Sequence, residues 1–130
     1  MSEAESAEAI VYRALGEEGF GDLTSAFYRR VKDDELLAPM YPNQDWEGAE
    51  QRLRDFLIFR FGGPPRYIEE RGHPRLRMRH MPFSIGEAER DRWLKLMGEA
   101  MDELETSEEV RAVMDPFFAQ VADFMRNREE

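Results

Sequence analysis

Apolar residues spaced three and four positions apart are the feature that most constrains the fold of this chain. They recur at this spacing from Trp93 to Leu104, and again from Val110 to Met125. Side chains at these intervals lie on one face of an α-helix. Glycine and proline are concentrated in a few places, whereas hairpins would place them at short, regular intervals. The sequence therefore predicts an all-α fold.

Capping and breaking residues divide the first half of the chain. Gly16 is predicted to end a short first helix, and Asp22 to cap a second one. A brief helical turn should stop before Pro42, because proline biases the preceding residue away from the helical region. Asp45 is suited to cap a longer helix, which the breakers that begin at Gly62 should end. The first half is therefore predicted to hold three helices and one helical turn.

Glycine, proline and charged residues dominate the stretch from residue 62 to residue 74, and they predict a loop there. A very short helix should follow it. Pro82 cannot continue that helix, so it should end near this residue. The prediction places His80 at a helix end.

Two short motifs predict the starts of the last two helices. Both Ser84-Ile85-Gly86-Glu87 and Thr106-Ser107-Glu108-Glu109 have the spacing of a capping box. An interior proline removes a backbone hydrogen bond, so Pro116 should kink the final helix or mark a fresh start capped by Asp115. The residues on both sides of Pro116 should be helical.

Composition excludes several function classes. The chain has 130 residues, which we assign to one domain, and 28 acidic against 18 basic residues give a net charge of −10. This charge would repel nucleic acid. Without cysteine there are no disulfides, iron–sulfur ligands or covalent CxxCH haem attachment. The N-terminus is acidic and no apolar run approaches a membrane span, so we expect a cytoplasmic location.

Motifs around the two histidines give a more specific indication. His73 and His80 lie within residues 71–83, which read RGHPRLRMRHMPF. Tyr41-Pro42 and Gly62-Gly63-Pro64 precede this segment, and Arg90-Asp91-Arg92-Trp93 follows it. Several motifs in one order are more specific than any single motif. From about residue 27 to residue 97 the chain resembles the second group of truncated haemoglobins, while residues 1–21 match more loosely.

The resemblance implies a truncated globin fold, in which a two-over-two helical sandwich surrounds a non-covalent haem b. His80 matches the proximal position, where a neutral imidazole binds the iron. A lone histidine is otherwise more often a surface or core residue, and His73 is better interpreted as a capping or hydrogen-bonding residue. The haem contacts that the resemblance implies are Arg52, Leu53, Leu57, Phe61, Tyr67, Met78, Arg79, Phe83 and Met97. Arg52, Tyr67 and Arg79 would meet the anionic propionates.

The resemblance also implies a distal site for the gas ligand. Its residues are Tyr28, Tyr41, Ala49, Leu53 and Trp93. Ala49 occupies the position where many larger globins carry a distal histidine, so any hydrogen bond to the ligand must come from another residue. A buried O–H or N–H requires a partner, and a bound gas is available to the two tyrosines and the tryptophan. The alternative is that these aromatic residues serve packing alone.

The expected function is reversible binding of oxygen, nitric oxide and carbon monoxide at ferrous iron, and the sequence leaves the role open between oxygen transport, storage, sensing and scavenging. The alternative is a haem redox enzyme with peroxidase-like or nitric oxide dioxygenase activity. The chain has no dinucleotide-binding fingerprint, so that alternative requires an external reductase. A homodimer is also left open. A third interpretation, a helical interaction module without cofactor, would give a colourless protein.

Overall fold

The computed structural model describes residues 6–41, 45–72 and 85–127. These residues contain five α-helices and one 3-10 turn. The helices are α1 (Ala7–Lys32), α2 (Trp46–Arg60), α3 (Arg66–Arg71), α4 (Glu87–Glu103) and α5 (Glu108–Phe124), and the 3-10 turn is Ala38–Met40. These ranges hold no strand. The all-α prediction is therefore confirmed. The short helix predicted around His80 lies outside the described residues.

α1 contains a break at Gly16, as predicted. The φ of 62° and ψ of −178° at this residue are not helical, and glycine adopts a positive φ without the steric cost of a side chain. Ser6 caps the start of α1 by accepting a hydrogen bond from the Ala9 N–H at 3.1 Å. The predicted cap at Asp22 is wrong, because the chain is already helical directly after Gly16 and Asp22 lies inside the helix.

The residues that begin the later helices agree with the predictions only in part. Asp45 caps α2, as predicted, by accepting from the Gly48 N–H at 3.0 Å. The helix start predicted from the Ser84 capping box is wrong, because Gly86 is the residue that precedes α4, while Ser84 itself lies outside the described residues. Glu89 accepts from the Gly86 N–H at 2.8 Å, and this bond satisfies a donor that would otherwise be free at the helix start.

The start of α5 differs from its prediction by one residue. Ser107 is the cap, and its hydroxyl accepts from the Val110 N–H at 3.2 Å. The hydroxyl of Thr106 instead donates to the Met101 carbonyl at 2.9 Å. α5 is continuous through Pro116, so the fresh start at Asp115 is also wrong. The pattern identified the helix but not its exact first residue.

The loop predicted for residues 62–74 is wrong over α3. Its Tyr67 is buried and packs its ring edge-on against Phe56 of α2, with centroids 5.5 Å apart. Gly72 ends the helix with a φ of 74°. A six-residue helix is marginal alone, so this contact with α2 explains why it forms.

α1 is the central helix of the packing, since it contacts α2, α4 and α5. α3 packs on α2, and α4 packs on α5. The largest fully buried side chains come from all four long helices and the residue after α2, and they are Phe20, Leu23, Phe27, Leu57, Ile58, Phe61, Met97 and Met114. Within the described ranges, none of the helices combines the length and the apolar character of a membrane span.

Candidate functional site

Four aromatic side chains from three elements lie in a continuous row, which we call the aromatic row. Trp93 of α4 contacts Phe27 of α1 with ring centroids 5.1 Å apart, and Phe27 contacts Tyr28 at 5.0 Å. Tyr28 meets Tyr41, the residue after the 3-10 turn, edge-on at 5.7 Å. The structure thus brings the three polar-tipped residues of the predicted distal site together, with Phe27 between Trp93 and the tyrosines.

The two tyrosine hydroxyls of the aromatic row interact. Burial raises the pKa of Tyr28 well above its usual value, and the proximity of Tyr41 and a hydrogen bond with it add to this rise. Burial also raises the pKa of Tyr41, whereas the hydrogen bond with Tyr28 acts in the opposite direction. Both are therefore neutral hydroxyls at physiological pH.

Ala49 and Leu53 complete the predicted distal set from α2. They are four residues apart, so they lie on one face of the helix. Ala49 is buried and Leu53 is half-buried, and both belong to the same hydrophobic core as the aromatic row. Neither side chain carries a hydrogen-bond donor. Within this predicted distal set, a hydrogen bond to a ligand can be donated only by the aromatic residues.

A depression of about 290 Å³ lies between α2 and α3, and we call it the α2–α3 depression. It is lined by Gly48, Gln51, Arg52, Asp55, Tyr67 and Glu70. Arg52 and Tyr67, which the resemblance assigns to propionates, thus lie at one depression. The side chain of Arg52 is 44% exposed, and its nearest carboxylate is Asp45 at 3.6 Å.

Asp55 is a buried charged residue in this depression that the sequence analysis missed. Gln51 donates from Nε2 to both of its carboxylate oxygens at 3.1 Å, and Arg66 Nε lies 3.8 Å away. Arg66 also donates to Glu17 of α1 at 2.7 Å. These contacts tie α3 to α1 and α2. The only signal in the sequence was a lone acidic residue directly before an apolar run.

Three more of the predicted haem contacts are deeply buried. Leu57, Phe61 and Met97 are each at most 2% exposed and belong to the same hydrophobic core. The Phe61 ring also packs on Phe117, with centroids 5.1 Å apart. The remaining predicted residues, Met78, Arg79, His80 and Phe83, lie outside the described residues.

Comparison with known proteins identifies similar chains. The family model described as Bacterial-like globin matches residues 10–127. The group 2 truncated haemoglobin YjbI of Bacillus subtilis is 40% identical over 119 residues, which cover 92% of this chain and 89% of that protein.

Solved structures of haemoglobins are similar to the structure of this chain. A thermostable haemoglobin from Thermobifida fusca gives a TM-score of 0.88 at 46% identity, covering 92% of this chain and 98% of the other. A truncated oxygen-avid haemoglobin from Bacillus subtilis gives 0.86 at 39% identity, covering 90% and 98%. At these identities and coverages the similarity extends beyond the fold to the family.

Proposed function

Because this chain belongs to the bacterial-like globins and, among them, to the group II truncated haemoglobins, we propose that it binds oxygen reversibly through a haem b held by His80. The family supports a haem-binding and gas-binding role. The observation that carries the finer proposal is the aromatic row, in which a tryptophan and two tyrosines come together through ring contacts at the core. One solved structure that is similar to this chain is that of a truncated oxygen-avid haemoglobin. This similarity favours oxygen over the other diatomic gases as the ligand that we propose.

The residues present fit a haem. When bound, haem supplies an iron coordination position for a diatomic gas and two anionic propionates. Leu53, Leu57, Phe61 and Met97 share one core and would supply the apolar contacts of its macrocycle. The cation of Arg52 and the phenol of Tyr67 at the open α2–α3 depression are suited to hydrogen-bond propionates. Apolar walls with polar groups at an open edge are the usual character of a cofactor site.

The distal residues would act on the gas ligand as hydrogen-bond donors. An oxygen ligand at this site would carry partial negative charge, whereas carbon monoxide would polarise much less. The indole N–H of Trp93 and the phenols of Tyr28 and Tyr41 are donors in a largely buried setting, where such bonds are stronger than in water. The row would therefore slow the release of oxygen more than that of carbon monoxide. We propose nitric oxide as a further ligand of the same site.

Replacing the proposed iron ligand tests this function. His80→Gly should strip or loosen the haem, because glycine offers no ligand. Added imidazole should restore a five-coordinate ferrous spectrum to this variant. His73→Ala is the matched control and should leave the absorption spectrum unchanged. If His73→Ala abolishes haem binding while His80→Gly retains it, the assignment of the ligand is wrong.

Reversible oxygenation must also be distinguished from the redox alternative. Repeated cycles of oxygenation and deoxygenation without net oxidation would support a binding protein. Fast turnover of peroxide with a reducing dye, at rates well above those of free haem, would favour the enzyme. A colourless protein that takes up no added haem would contradict both.

A further inference from the structure

The carboxylate of Asp34 lies outside the aromatic row. It joins the two segments that carry the end residues of the row, Tyr41 and Trp93. Asp34 lies between α1 and the 3-10 turn. Its Oδ2 accepts the backbone N–H groups of Leu36 at 3.1 Å and Leu37 at 2.9 Å. Its Oδ1 accepts from the guanidinium of Arg92 in α4. Each carboxylate oxygen of Asp34 therefore holds a different part of the chain.

Asp34 is charged although its side chain is only 9% exposed. Burial alone would raise the pKa of this carboxyl, but the Leu37 N–H and the Arg92 guanidinium outweigh burial and hold the pKa below its usual value. Charge-assisted hydrogen bonds at partly buried sites are stronger than neutral ones. The Asp34–Arg92 ion pair should therefore be a stronger interaction than an exposed ion pair between the same two residue types.

Backbone hydrogen bonds connect Asp34 to Tyr41. The Ala38 N–H donates to the Asp34 carbonyl at 2.9 Å, and the Tyr41 N–H donates to the Ala38 carbonyl at 3.1 Å. Between them Leu37 is buried in the core, which fixes the turn against the rest of the molecule. A displacement of Asp34 would therefore move Tyr41.

The other partner of the ion pair lies next to the opposite end of the aromatic row. Arg92 directly precedes Trp93 in α4. The ion pair thus spans from the segment that ends in Tyr41 to the helix that carries Trp93. Asp34 and Arg92 are 58 residues apart in the chain. Within the described residues, the row itself connects the same two segments only through the rings of Phe27 and Tyr28.

We propose that Asp34 and Arg92 are positioning residues that set the spacing between Tyr41 and Trp93, and thereby the hydrogen bonds that these residues give to the gas ligand. Neither residue belongs to the predicted distal set. The inference rests on the proposed gas-binding function.

A second set of ion pairs offers a matched control. Glu103 of α4 accepts from Arg29 at 2.5 Å and from Arg30 at 2.7 Å, and both arginines belong to α1. These pairs join α1 to α4, but they do not involve the turn that leads to Tyr41. Glu103→Gln and Asp34→Asn make the same chemical change, from a carboxylate to an amide, at the two places.

The test measures oxygen and carbon monoxide dissociation from the haem-loaded protein. Asp34→Asn should speed oxygen release by roughly three- to tenfold, the effect of weakening about one charge-assisted hydrogen bond. Carbon monoxide release should change less, and Glu103→Gln should stay within about twofold for both gases. Arg92→Gln should behave like Asp34→Asn, whereas Arg92→Lys, which keeps the charge, should recover most of the parent behaviour.

A double-mutant cycle separates positioning from a general loss of structure. If Asp34 acts through Trp93, Asp34→Asn should raise the oxygen release rate by less than about twofold when Trp93 is already replaced by phenylalanine. A structural role would give the same factor in both backgrounds. The C–O stretching frequency of the carbon monoxide complex reports the local field independently of rates, and it should shift in Asp34→Asn but not in Glu103→Gln.

Three outcomes would overturn the proposal. They are oxygen release within twofold of the parent in Asp34→Asn and Arg92→Gln, fully additive effects in the cycle, and an unchanged C–O frequency. The parent protein distinguishes this failure from failure of the proposed function. If the parent does not bind oxygen reversibly, both proposals fall, whereas a parent that does so beside unaffected variants overturns the ion-pair proposal alone.

Discussion

The aromatic row and the α2–α3 depression both present polar groups at the candidate site, but they do so in opposite surroundings. In the row, Tyr28 is buried and its ring packs between those of Phe27 and Tyr41. In the depression, Arg52 is 44% exposed and its carboxylate partner is 3.6 Å away. Water screens charges at the surface, whereas a buried polar group interacts strongly with whatever it faces. The same kind of hydrogen bond should therefore matter more in the row.

The two regions also differ in how the chain builds them. The depression combines residues of α2 and α3, which follow each other in sequence. The row takes its members from α1, from the end of the 3-10 turn and from α4. Its geometry therefore depends on the packing of the whole described core, and changes far from the ligand should reach it. The depression should respond mainly to changes at its own residues.

Removing the tryptophan N–H should have the largest effect. Trp93→Phe keeps most of the ring packing on Phe27 and Phe118 but removes the donor. We expect oxygen release to become at least about tenfold faster, as for the loss of one charge-assisted hydrogen bond in a buried site. Carbon monoxide release should change less. Stopped-flow displacement of each gas measures both rates.

The second tryptophan supplies the control for this experiment. Trp46 contacts Tyr41 at 5.2 Å, but it also lines a surface depression of about 280 Å³ beside Lys32 and Glu47. Trp46→Phe should change oxygen release by less than about twofold, because Trp46 is not among the proposed donors to the ligand and phenylalanine keeps an aromatic ring beside Tyr41. The row serves packing alone if oxygen release stays within twofold of the parent in two variants. These are the single variant Trp93→Phe and the double variant that combines Trp93→Phe with Tyr28→Phe.

The pH dependence of stability sharpens the contrast, because it measures the burial of Tyr28 directly. Its pKa in the folded protein is raised well above 10 by burial and by Tyr41, while an unfolded tyrosine ionises near pH 10. The raised pKa stabilises the folded protein in full below pH 10. This stabilisation is lost as the pH rises from 10 toward the pKa of Tyr28 in the folded protein. Relative to Tyr28→Phe, the parent should lose up to about 1.4 kcal/mol per pH unit above pH 10.

Urea unfolding of the parent and of Tyr28→Phe from pH 8 to pH 11 tests this expectation. The difference in their free energies of unfolding should be constant at pH 8 to 9 and should then move in favour of the variant. Parallel curves over the whole range would show that the Tyr28 hydroxyl is solvated, and the contrast with the depression would disappear.

The positions of the helices were predictable from the sequence, whereas their exact ends were not. Periodic apolar residues identify α4 and α5 because one helix face is buried along its length. Ser107 rather than Thr106 caps α5, since neighbouring hydroxyl residues satisfy the same pattern and the local fold selects between them. α3 is short and has no such periodicity. It depends on contacts with α2, which local sequence does not reveal.

The candidate site shows the same limit more strongly. Tyr28, Tyr41 and Trp93 were identified through the family resemblance, because no local pattern relates residues that are so far apart in the chain. The Asp34–Arg92 ion pair, whose members are 58 residues apart, gave no signal at all. Asp55 was missed because a single acidic residue in a helix is usually solvated. Long-range partners become visible only when the helices are packed.

The smallest effect is expected at the α2–α3 depression. Arg52→Gln removes the charge that we propose for a haem propionate but keeps most of the side-chain stem. At 44% exposure, water screens this interaction, so its loss should cost at most about 1 kcal/mol, or about fivefold in the rate of haem loss. Arg60→Gln is the control, since Arg60 lies on the same helix, is 42% exposed and also pairs with one carboxylate, Glu8 at 3.2 Å. Transfer of haem to a competing apoprotein measures both rates. Equal rates in the two variants would remove Arg52 from the propionate site, and a loss much greater than fivefold would mean that the depression is as desolvated as the aromatic row.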